Sequence, residues 1–328
     1  MKRYIFLLFA LFVFCSCEKV LEFDEGSSPR HMVLNAVPSA GEELFVNFGY
    51  SHLFLDSNVS YPVEGADIVV NLNGESLHPT RVHGCNYFFG RTLNEDDVLD
   101  VHVDACGKTM TASTYVPRFP QMTTPFCIVD TSDVFDYCNV SFRLTDLSDR
   151  SEYYRFRIQE RDSGSRMNPW TKELDTIDTV YTTYFLCLDM PLFDNNKLTA
   201  GLSETESLGG YFYEQLLASD SLFNGESISV AFQLLLLVDT NEVEPFIHQY
   251  TLEVESMTAE RYRYLKQVST ANSLMQFFTE PSQVYGNVSG GALGVFSGNA
   301  RRKFPLNVQL PDPPHRKAST AKIKRVKK

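Results

Sequence analysis

Basic residues are scarce outside the two ends of the sequence, and this scarcity excludes one class of partner. The first sixteen residues carry Lys2 and Arg3 and no acid, and the last fourteen carry seven lysines or arginines, again with no acid. Residues 17–314 hold 20 basic residues against 41 acidic ones. A surface that binds nucleic acid needs basic side chains to neutralise phosphates, so this acidic body argues against nucleic acid as a partner.

The sequence also lacks the short motifs of common enzymes. It contains no G-x-S-x-G elbow, no H-E-x-x-H and no Walker loop. The glycine-rich stretch Ser289–Gly294 has no following Lys-Ser/Thr pair, and it is better interpreted as a backbone crossing or bulge where side chains would not fit. We therefore expect no enzyme activity, no catalytic residues, no metal site and no cofactor.

The longest hydrophobic run lies at the start of the chain and is too short to span a bilayer. Tyr4–Phe14 follows a positive Met-Lys-Arg start, as in a signal peptide, whereas a spanning helix needs about 20 residues. The run ends at Cys15-Ser16-Cys17, which resembles a bacterial lipobox. The expectation is a signal peptide over residues 1–16 and a lipid anchor on Cys17. Cys15 is the alternative acylation site, and an ordinary cleaved signal is the alternative to lipidation.

Length and composition divide the mature chain into two folded units, because domains usually hold about 100 to 200 residues. An acidic, serine-rich tether is expected over residues 17–30, and a first unit over 31–118. Val116–Pro120 holds two prolines and is the expected hinge. The second unit is expected over 121–310, and a basic, proline-rich tail over 311–328 is expected to be disordered.

Period-two patterns predict a β-sandwich for the first unit. Leu99–Ala105 alternates apolar and polar residues, as in a strand with one wet face. Asp67–Leu72 and Glu75–Thr80 flank Asn73-Gly74, the strongest short hairpin signal. Six or seven such strands favour an immunoglobulin-like or transthyretin-like sandwich.

The second unit is predicted to be a larger antiparallel β domain with one or two short helices, which makes the fold class mainly β. One helix is expected over Ala259–Ala271, capped by Thr258, and a shorter one over Gly209–Ser219. Arg161–Thr176 is polar and is predicted to be a loop. Strands are expected near Tyr137–Thr145, Glu152–Gln159, Val180–Leu188, Ile228–Val238, Phe246–Ser256 and Arg302–Val308.

Five cysteines follow Cys17, and outside the cytoplasm they can pair. A hairpin around Asn94–Asp97 would set Cys85 opposite Cys106, and a turn at Asp130–Asp133 would set Cys127 opposite Cys138. Both registers are open, because a slip of one residue turns a side chain to the other face. Cys187 is then left unpaired.

Two metal sites are alternatives to these assignments. His83, Cys85, His102 and Cys106 are residue types that suit zinc or copper, although their spacing matches no familiar metal motif. Asp130, Asp133 and Asp136 recur every third residue, but they are better explained as a solvated loop.

One aromatic residue is a candidate for ligand contact. Trp170, with Arg166 nearby, offers an aromatic platform and a hydrogen-bond donor for a sugar or peptide. The alternative is that Trp170 packs over the edge of its domain.

Several segments together resemble the Bacteroidetes outer-membrane lipoproteins that carry domain of unknown function 4249. The similarity covers nearly all of the chain after the tether, and it rests on the order of the lipobox and these segments: Pro62–Ile68, Tyr153–Arg157, Ser219–Gly225, Met257–Leu265 and Pro281–Phe296. The resemblance implies a lipid-anchored outer-membrane protein, often encoded beside a TonB-dependent transporter. It implies no established activity and no catalytic residues.

These observations lead to an expected function and to alternatives. The expectation is a non-enzymatic accessory or ligand-binding protein that is held in the outer membrane and works with a TonB-dependent nutrient transporter. It would face the cell surface, with the periplasmic face as the alternative. A structural or adhesive surface protein is the second hypothesis, and a hydrolase with an unfamiliar site is the third.

Overall fold

The computed structural model describes most of the chain between residues 30 and 308. The signal segment, Cys17, the tether and the basic tail lie outside the described residues, so the expectations for them stay predictions. The described residues are 30–52, 61–131, 136–147, 149–187, 193, 212–236, 242–271 and 285–308.

The first unit is a sandwich of two four-stranded antiparallel sheets. One sheet has the strand order β1-β2-β6-β5 and the other β4-β3-β7-β8. This arrangement has one strand more than the seven of an immunoglobulin constant domain. The strands are β1 (Met32–Asn35), β2 (Glu43–Tyr50), β3 (Asp67–Leu72), β4 (Glu75–Leu77), β5 (Arg81–His83), β6 (Asn86–Thr92), β7 (Val98–Ala105) and β8 (Lys108–Tyr115).

Sequence alternation builds the core between these sheets, as predicted. In β7 every second residue is buried, and Leu99, Val101 and Val103 are at most 1% exposed. The Asn73-Gly74 turn joins β3 to β4, with positive φ at both residues (51° and 88°), as a two-residue hairpin requires.

The chain returns to the first sandwich near its C-terminal end, through residues 286–298, here called the return segment. Leu34 donates its backbone N–H to Leu293 O at 2.9 Å on the edge strand β1, and Ser289 donates to Thr111 O at 2.9 Å on the edge strand β8. Phe296 is fully buried in the first core. The return segment therefore covers one edge of each sheet, which protects strands that would otherwise offer unpaired backbone groups.

This return corrects the predicted division of the chain. The boundary at 121–310 assigned residues 286–298 to the second unit, yet Ala292 and Phe296 belong to the first core. The sequence could not indicate this, because the contacts join segments about 180 to 260 residues apart.

The second unit is also a β-sandwich. One sheet has the order β10-β11-β17-β14-β15, with β9 also paired to β11, and the other has β13-β12-β18-β19, with β16 also paired to β12. Phe142, Phe156 and Phe232 pack between them with ring centroids 5.8 to 5.9 Å apart. The strands are β9 (Gln121–Met122), β10 (Phe126–Thr131), β11 (Asp136–Thr145), β12 (Tyr153–Met167), β13 (Leu174–Thr183), β14 (Phe185–Cys187), β15 (Phe212–Tyr213), β16 (Leu216–Ser219), β17 (Ser227–Leu236), β18 (Glu242–Met257) and β19 (Asn299–Leu306).

Two local predictions for this unit are wrong. The expected loop Arg161–Thr176 is mostly strand, because β12 and β13 form a long hairpin whose polar residues pair across the ladder. The expected helix Gly209–Ser219 is also wrong where it is described: Leu216–Ser219 is a strand paired with the start of β12. A short apolar run fits a helix or a strand equally well, and here the free edge of β12 decides.

The predicted helix α1 (Ala259–Ala271) is confirmed, and the fold class is mainly β, with α1 the one α-helix among the described residues. The predicted cap is wrong. The Thr258 carbonyl accepts from Tyr262 N at 3.1 Å, but the Thr258 hydroxyl has no hydrogen-bond partner in the described part of the chain. Tyr262 packs against Tyr153, with ring centroids 4.6 Å apart and the rings tilted by 30°, and holds the helix on the sheet. None of the helices described is long and apolar enough to cross a membrane.

The predicted hinge is the place where the chain passes from one core to the other. Val116 is fully buried in the first core, and Phe119 is buried in the second. Arg118 between them pairs with Asp96 at 2.6 Å and with Asp149 at 3.0 Å, which ties this connection to both units.

Candidate functional site

The structure separates the first predicted cysteine pair. Strand β6, which follows Cys85, and strand β7, which precedes Cys106, belong to different sheets. Asn94–Asp97 therefore connects the two layers instead of closing a hairpin, and Cys85 does not lie opposite Cys106. Cys106 instead has its Sγ 3.5 Å from the Tyr50 hydroxyl, and neither cysteine forms a disulfide.

The second predicted pair is in contact, but in a different register. Cys127 lies opposite Val140 and Cys138 opposite Val129, so the two cysteines are diagonal neighbours on one face. A hydrogen bond between the thiols lowers the pKa of Cys127 against the opposing effect of burial, and raises the pKa of Cys138, which burial raises further. The two cysteines form no disulfide, and the predicted register, with Cys127 directly opposite Cys138, is wrong by two residues.

The alternative histidine and cysteine site is not assembled either. His83 and Cys85 border a cavity of about 570 Å³ on one sheet, whereas His102 lies on the other sheet and pairs with Asp104 at 3.1 Å. The aspartate alternative cannot be placed, because Asp133 lies outside the described residues.

Three side chains that the sequence did not single out meet in the second sandwich. His248 has its Nδ1 2.8 Å from Asp162 Oδ1 and 3.2 Å from Glu160 Oε1. All three side chains are less than 10% exposed. We call Glu160, Asp162 and His248 the acid–histidine cluster.

Strand alternation explains why these residues meet. On β12 the residues Tyr154, Phe156 and Ile158 point into the apolar core, and the same face continues with Glu160 and Asp162. On the neighbouring strand, His248 is the register partner of Asp162 and Tyr250 is that of Glu160. The cluster therefore lies where the apolar inner face ends and the exposed part of the β12–β13 hairpin begins.

Further polar side chains surround the cluster. The Tyr181 hydroxyl donates to Asp162 Oδ2 at 3.0 Å, and Arg166 reaches the same oxygen at 3.7 Å. Burial alone would raise the pKa of Glu160, but hydrogen bonds from His248 and Tyr250 outweigh burial and lower it. Burial and the nearby carboxylate of Glu160 raise the pKa of Tyr250 and of Tyr181. Both hydroxyls therefore stay protonated and act as donors to the carboxylates.

The two residues predicted to contact a ligand, Trp170 and Arg166, lie at different places: Trp170 at the tip of the β12–β13 hairpin and Arg166 beside the acid–histidine cluster. Trp170 is 91% exposed, so packing over the domain edge is wrong. The Asn168 side chain accepts from the backbone N–H of Trp170 at 3.0 Å and orders the turn. Arg166 instead lies 5.4 Å from the Phe246 ring and pairs with Asp162, so it belongs to the surroundings of the cluster.

A second buried group of acids is built around Tyr154. The Tyr154 hydroxyl contacts Asp146 and also Glu152 Oε2 (2.8 Å), and Asp220 Oδ2 accepts from Glu152 N at 2.6 Å. Burial raises the pKa of Glu152 to about 7. Asp220 and Gly225, whose N–H donates to Asp146, come from the Ser219–Gly225 segment, so that segment serves the architecture of the second unit.

Sequence inspection missed the acid–histidine cluster because its members are far apart in the chain. His248 is 86 residues from Asp162 and 88 from Glu160. One local signal was available: after Phe156 and Ile158, the alternation puts acids where apolar residues are due. This signal is easily overlooked, because the polar residues from Arg161 onward predict a loop and end the strand pattern there.

Comparison with known proteins adds the family and little else. No curated protein matches this chain. A solved structure titled "Complete structure of manganese lipoxygenase of Gaeumannomyces graminis and partial structure of zonadhesin of Komagataella pastoris" is 11% identical and covers 70% of this chain and 89% of its own, but its TM-score of 0.16 supports no argument. A family model described as "Domain of unknown function (DUF4249)" matches residues 18–304, and the chain belongs to that family.

Proposed function

We propose that this protein is a lipoprotein of a bacterial outer membrane, anchored through Cys17, that binds a ligand at the acid–histidine cluster and works as an accessory to a TonB-dependent nutrient transporter. It performs no chemistry on that ligand. The support comes from the lipobox, the family and the geometry of the second sandwich.

The observation that carries the proposal is the buried acid–histidine cluster beside an exposed hairpin. Burying two carboxylates costs stability, and apolar residues of similar volume would stabilise a sandwich at least as well. Buried polar groups with shifted pKa values, gathered at one end of a core, are typical of binding and functional sites. Trp170, at the tip of the same hairpin, adds an exposed aromatic surface for a partner.

The position of Cys17 fits a protein held close to a membrane. Twelve residues separate Cys17 from Arg30, the first described residue, and even a fully extended chain would place these two residues at most about 45 Å apart. The start of the first unit would therefore stay within about 45 Å of the lipid surface, where an integral transporter would be within reach.

Metabolic labelling with a palmitate analogue tests the anchor. Wild type and Cys15→Ala should be labelled and should sediment with membranes, whereas Cys17→Ala should lose the label. Equal labelling of the Cys17→Ala and wild-type proteins would overturn the proposal.

A structural or adhesive surface role is the second candidate, and the return segment favours it. Because this segment lies in the first core and continues directly into β19 of the second sandwich, the two units are tied at two places, as suits a stiff stalk. A deletion strain that grows normally on every nutrient but no longer attaches to surfaces would favour this candidate over the accessory role.

A further inference from the structure

The acid–histidine cluster has the donor set of a transition-metal site. Glu160, Asp162 and His248 each offer one ligand atom, and these three atoms lie within 4.8 Å of one another. Imidazole nitrogen suits zinc, iron and copper, and carboxylate oxygen suits manganese as well as zinc, so this mixed set favours a transition metal over Mg²⁺ or Ca²⁺.

Two of the donor distances, those from His248 to each carboxylate, are close to the distances around a bound ion. Bonds of about 2.0 to 2.2 Å hold neighbouring ligand atoms about 3.0 to 3.5 Å apart. The His248 Nδ1 lies 2.8 Å from Asp162 Oδ1 and 3.2 Å from Glu160 Oε1. The ligand atoms of all three residues lie within 4.8 Å of one another, so side-chain movements would let them surround an ion.

Hydrogen bonding alone does not explain why two carboxylate oxygens face one ring nitrogen. The His248 Nδ1 carries at most one hydrogen, yet two carboxylate oxygens converge on it. A hydrogen on this nitrogen can reach both oxygens only through a bifurcated bond. A metal ion in the same place would accept a lone pair from all three atoms at once.

The outer side of the cluster resembles the support that metal ligands receive in proteins. The Asp162 oxygen that faces away from His248 accepts from the Tyr181 hydroxyl at 3.0 Å, and Glu160 accepts from Tyr250. Such outer hydrogen bonds fix the orientation of ligating carboxylates and leave their inner oxygens for the ion.

The cluster lies near the protein surface, because Tyr181, which donates to Asp162, is 43% exposed. The local charge also accommodates a cation. Glu160 and Asp162 bring two negative charges, and Arg166 compensates part of one from the outer oxygen of Asp162, 3.7 Å away. The inner oxygens of both acids remain directed at His248.

We propose that Glu160, Asp162 and His248 bind one divalent transition-metal ion of the Zn²⁺, Mn²⁺ or Fe²⁺ class, with solvent completing its coordination. This names the ligand class of the site used in the proposed function and so rests on that function, but its test needs neither the anchor nor a transporter.

The test uses the full acylated chain, purified in detergent and stripped with a chelator. Zn²⁺ affinity is measured by competition with a chromogenic chelator, and Co²⁺ serves as the spectroscopic probe. Wild type should bind one Zn²⁺, and its Tm should rise by about 5 °C at a hundredfold excess over Kd. His248→Gln and Asp162→Asn should each weaken Zn²⁺ binding at least a hundredfold.

His102→Gln is the matched control, because His102 also lies against a carboxylate (Asp104, 3.1 Å) but on the exposed surface. It should bind Zn²⁺ like wild type. The Co²⁺ spectrum should show visible bands without a thiolate charge-transfer band.

Three results would overturn the metal site. They are no Zn²⁺ binding by wild type, unchanged binding by His248→Gln and Asp162→Asn, and a thiolate band that assigns the metal to cysteine. If His248→Gln does not fold, Asp162→Asn and the wild-type spectrum still decide. If Zn²⁺ binds but no transporter associates, the proposed accessory role fails and the metal site stands.

Discussion

Glu152 shows how a single buried acid makes the stability of this protein depend on pH. Glu152 is only 1% exposed, and its Oε1 has no hydrogen-bond partner within the described part of the chain. The Tyr154 hydroxyl has one hydrogen to share between Asp146 and Glu152. One carboxyl therefore gains by holding a proton, and burial raises the pKa of Glu152 to about 7.

We predict that Glu152→Gln removes this dependence. An unfolded glutamate titrates near about pH 4.3, so between that pH and 7 the folded state keeps a proton that the unfolded chain has lost. The unfolding free energy of wild type should therefore fall by about 3 kcal/mol as pH rises through this window. Glutamine mimics the protonated acid, so Glu152→Gln should gain about that much relative to wild type between pH 5 and pH 8.

Urea unfolding at the two pH values measures this difference. Glu64→Gln is the control, because Glu64 is exposed and its substitution should shift both values equally. An identical effect of Glu152→Gln at pH 5 and at pH 8 would contradict the account.

The cysteines give a second prediction at this scale. Treatment of the folded chain with a mild disulfide-forming oxidant should link Cys127 to Cys138, because their thiols are in contact and the pKa of Cys127 is lowered by its neighbour. Cys85 and Cys106 should not be linked to each other, since Cys85 is buried whereas Cys106 is exposed. Peptide mapping without reduction checks this, and a Cys85–Cys106 linked peptide would contradict the placement of these two residues.

Among the elements, the return segment depends most on glycine. Gly294 has a φ of 121°, and a Cβ there would lie 1.9 Å from Leu34 O. Gly291 also has a positive φ, 81°, but a Cβ there would meet nothing within 4 Å. The two positions therefore separate backbone strain from steric contact within one segment.

We predict that Gly291→Ala costs about 1 to 2 kcal/mol, the usual penalty for a side chain in a left-handed conformation. Gly294→Ala should cost at least about 4 kcal/mol, because the new methyl group must also displace β1. Chemical unfolding measures both. Equal costs for the two variants would mean that the return segment does not pack on β1 as described.

What the sequence could predict of these elements follows from how local each signal is. The Asn73-Gly74 hairpin and strand β7 were predicted because their signals, a turn dipeptide and an alternation of apolar and polar residues, lie within a few neighbouring positions. The glycine-rich segment was correctly interpreted as a close backbone approach, but its partners β1 and β8 lie far away in the chain. The β12–β13 hairpin was not predicted because its residues are polar and show no hydrophobic strand pattern. They form strands because the two segments pair with each other.

The acid–histidine cluster also depends on contacts between residues that are distant in the sequence. Glu160 and Asp162 carry a local hint, since they continue an inward-facing row, but His248 becomes their neighbour only through the β12–β18 register. No motif search of neighbouring residues could bring the three together.

At the scale of the whole molecule, two connections tie the sandwiches together. The Val116–Pro120 segment passes from one core into the other, and the return segment does so again on its way into β19. Two such connections limit the movement of the β12–β13 hairpin relative to the first sandwich. We therefore expect the exposed Trp170 to be presented to a partner in a fixed geometry.

Co-purification from detergent-solubilised outer membranes tests the central claim, an anchored accessory that engages a transporter, most directly. Quantitative mass spectrometry should recover a TonB-dependent transporter with the wild-type chain and markedly less with Trp170→Ala, while exposed Leu222→Ala, on the turn after β16, should behave like wild type. Repeated recovery of the wild-type chain with no transporter would contradict the account.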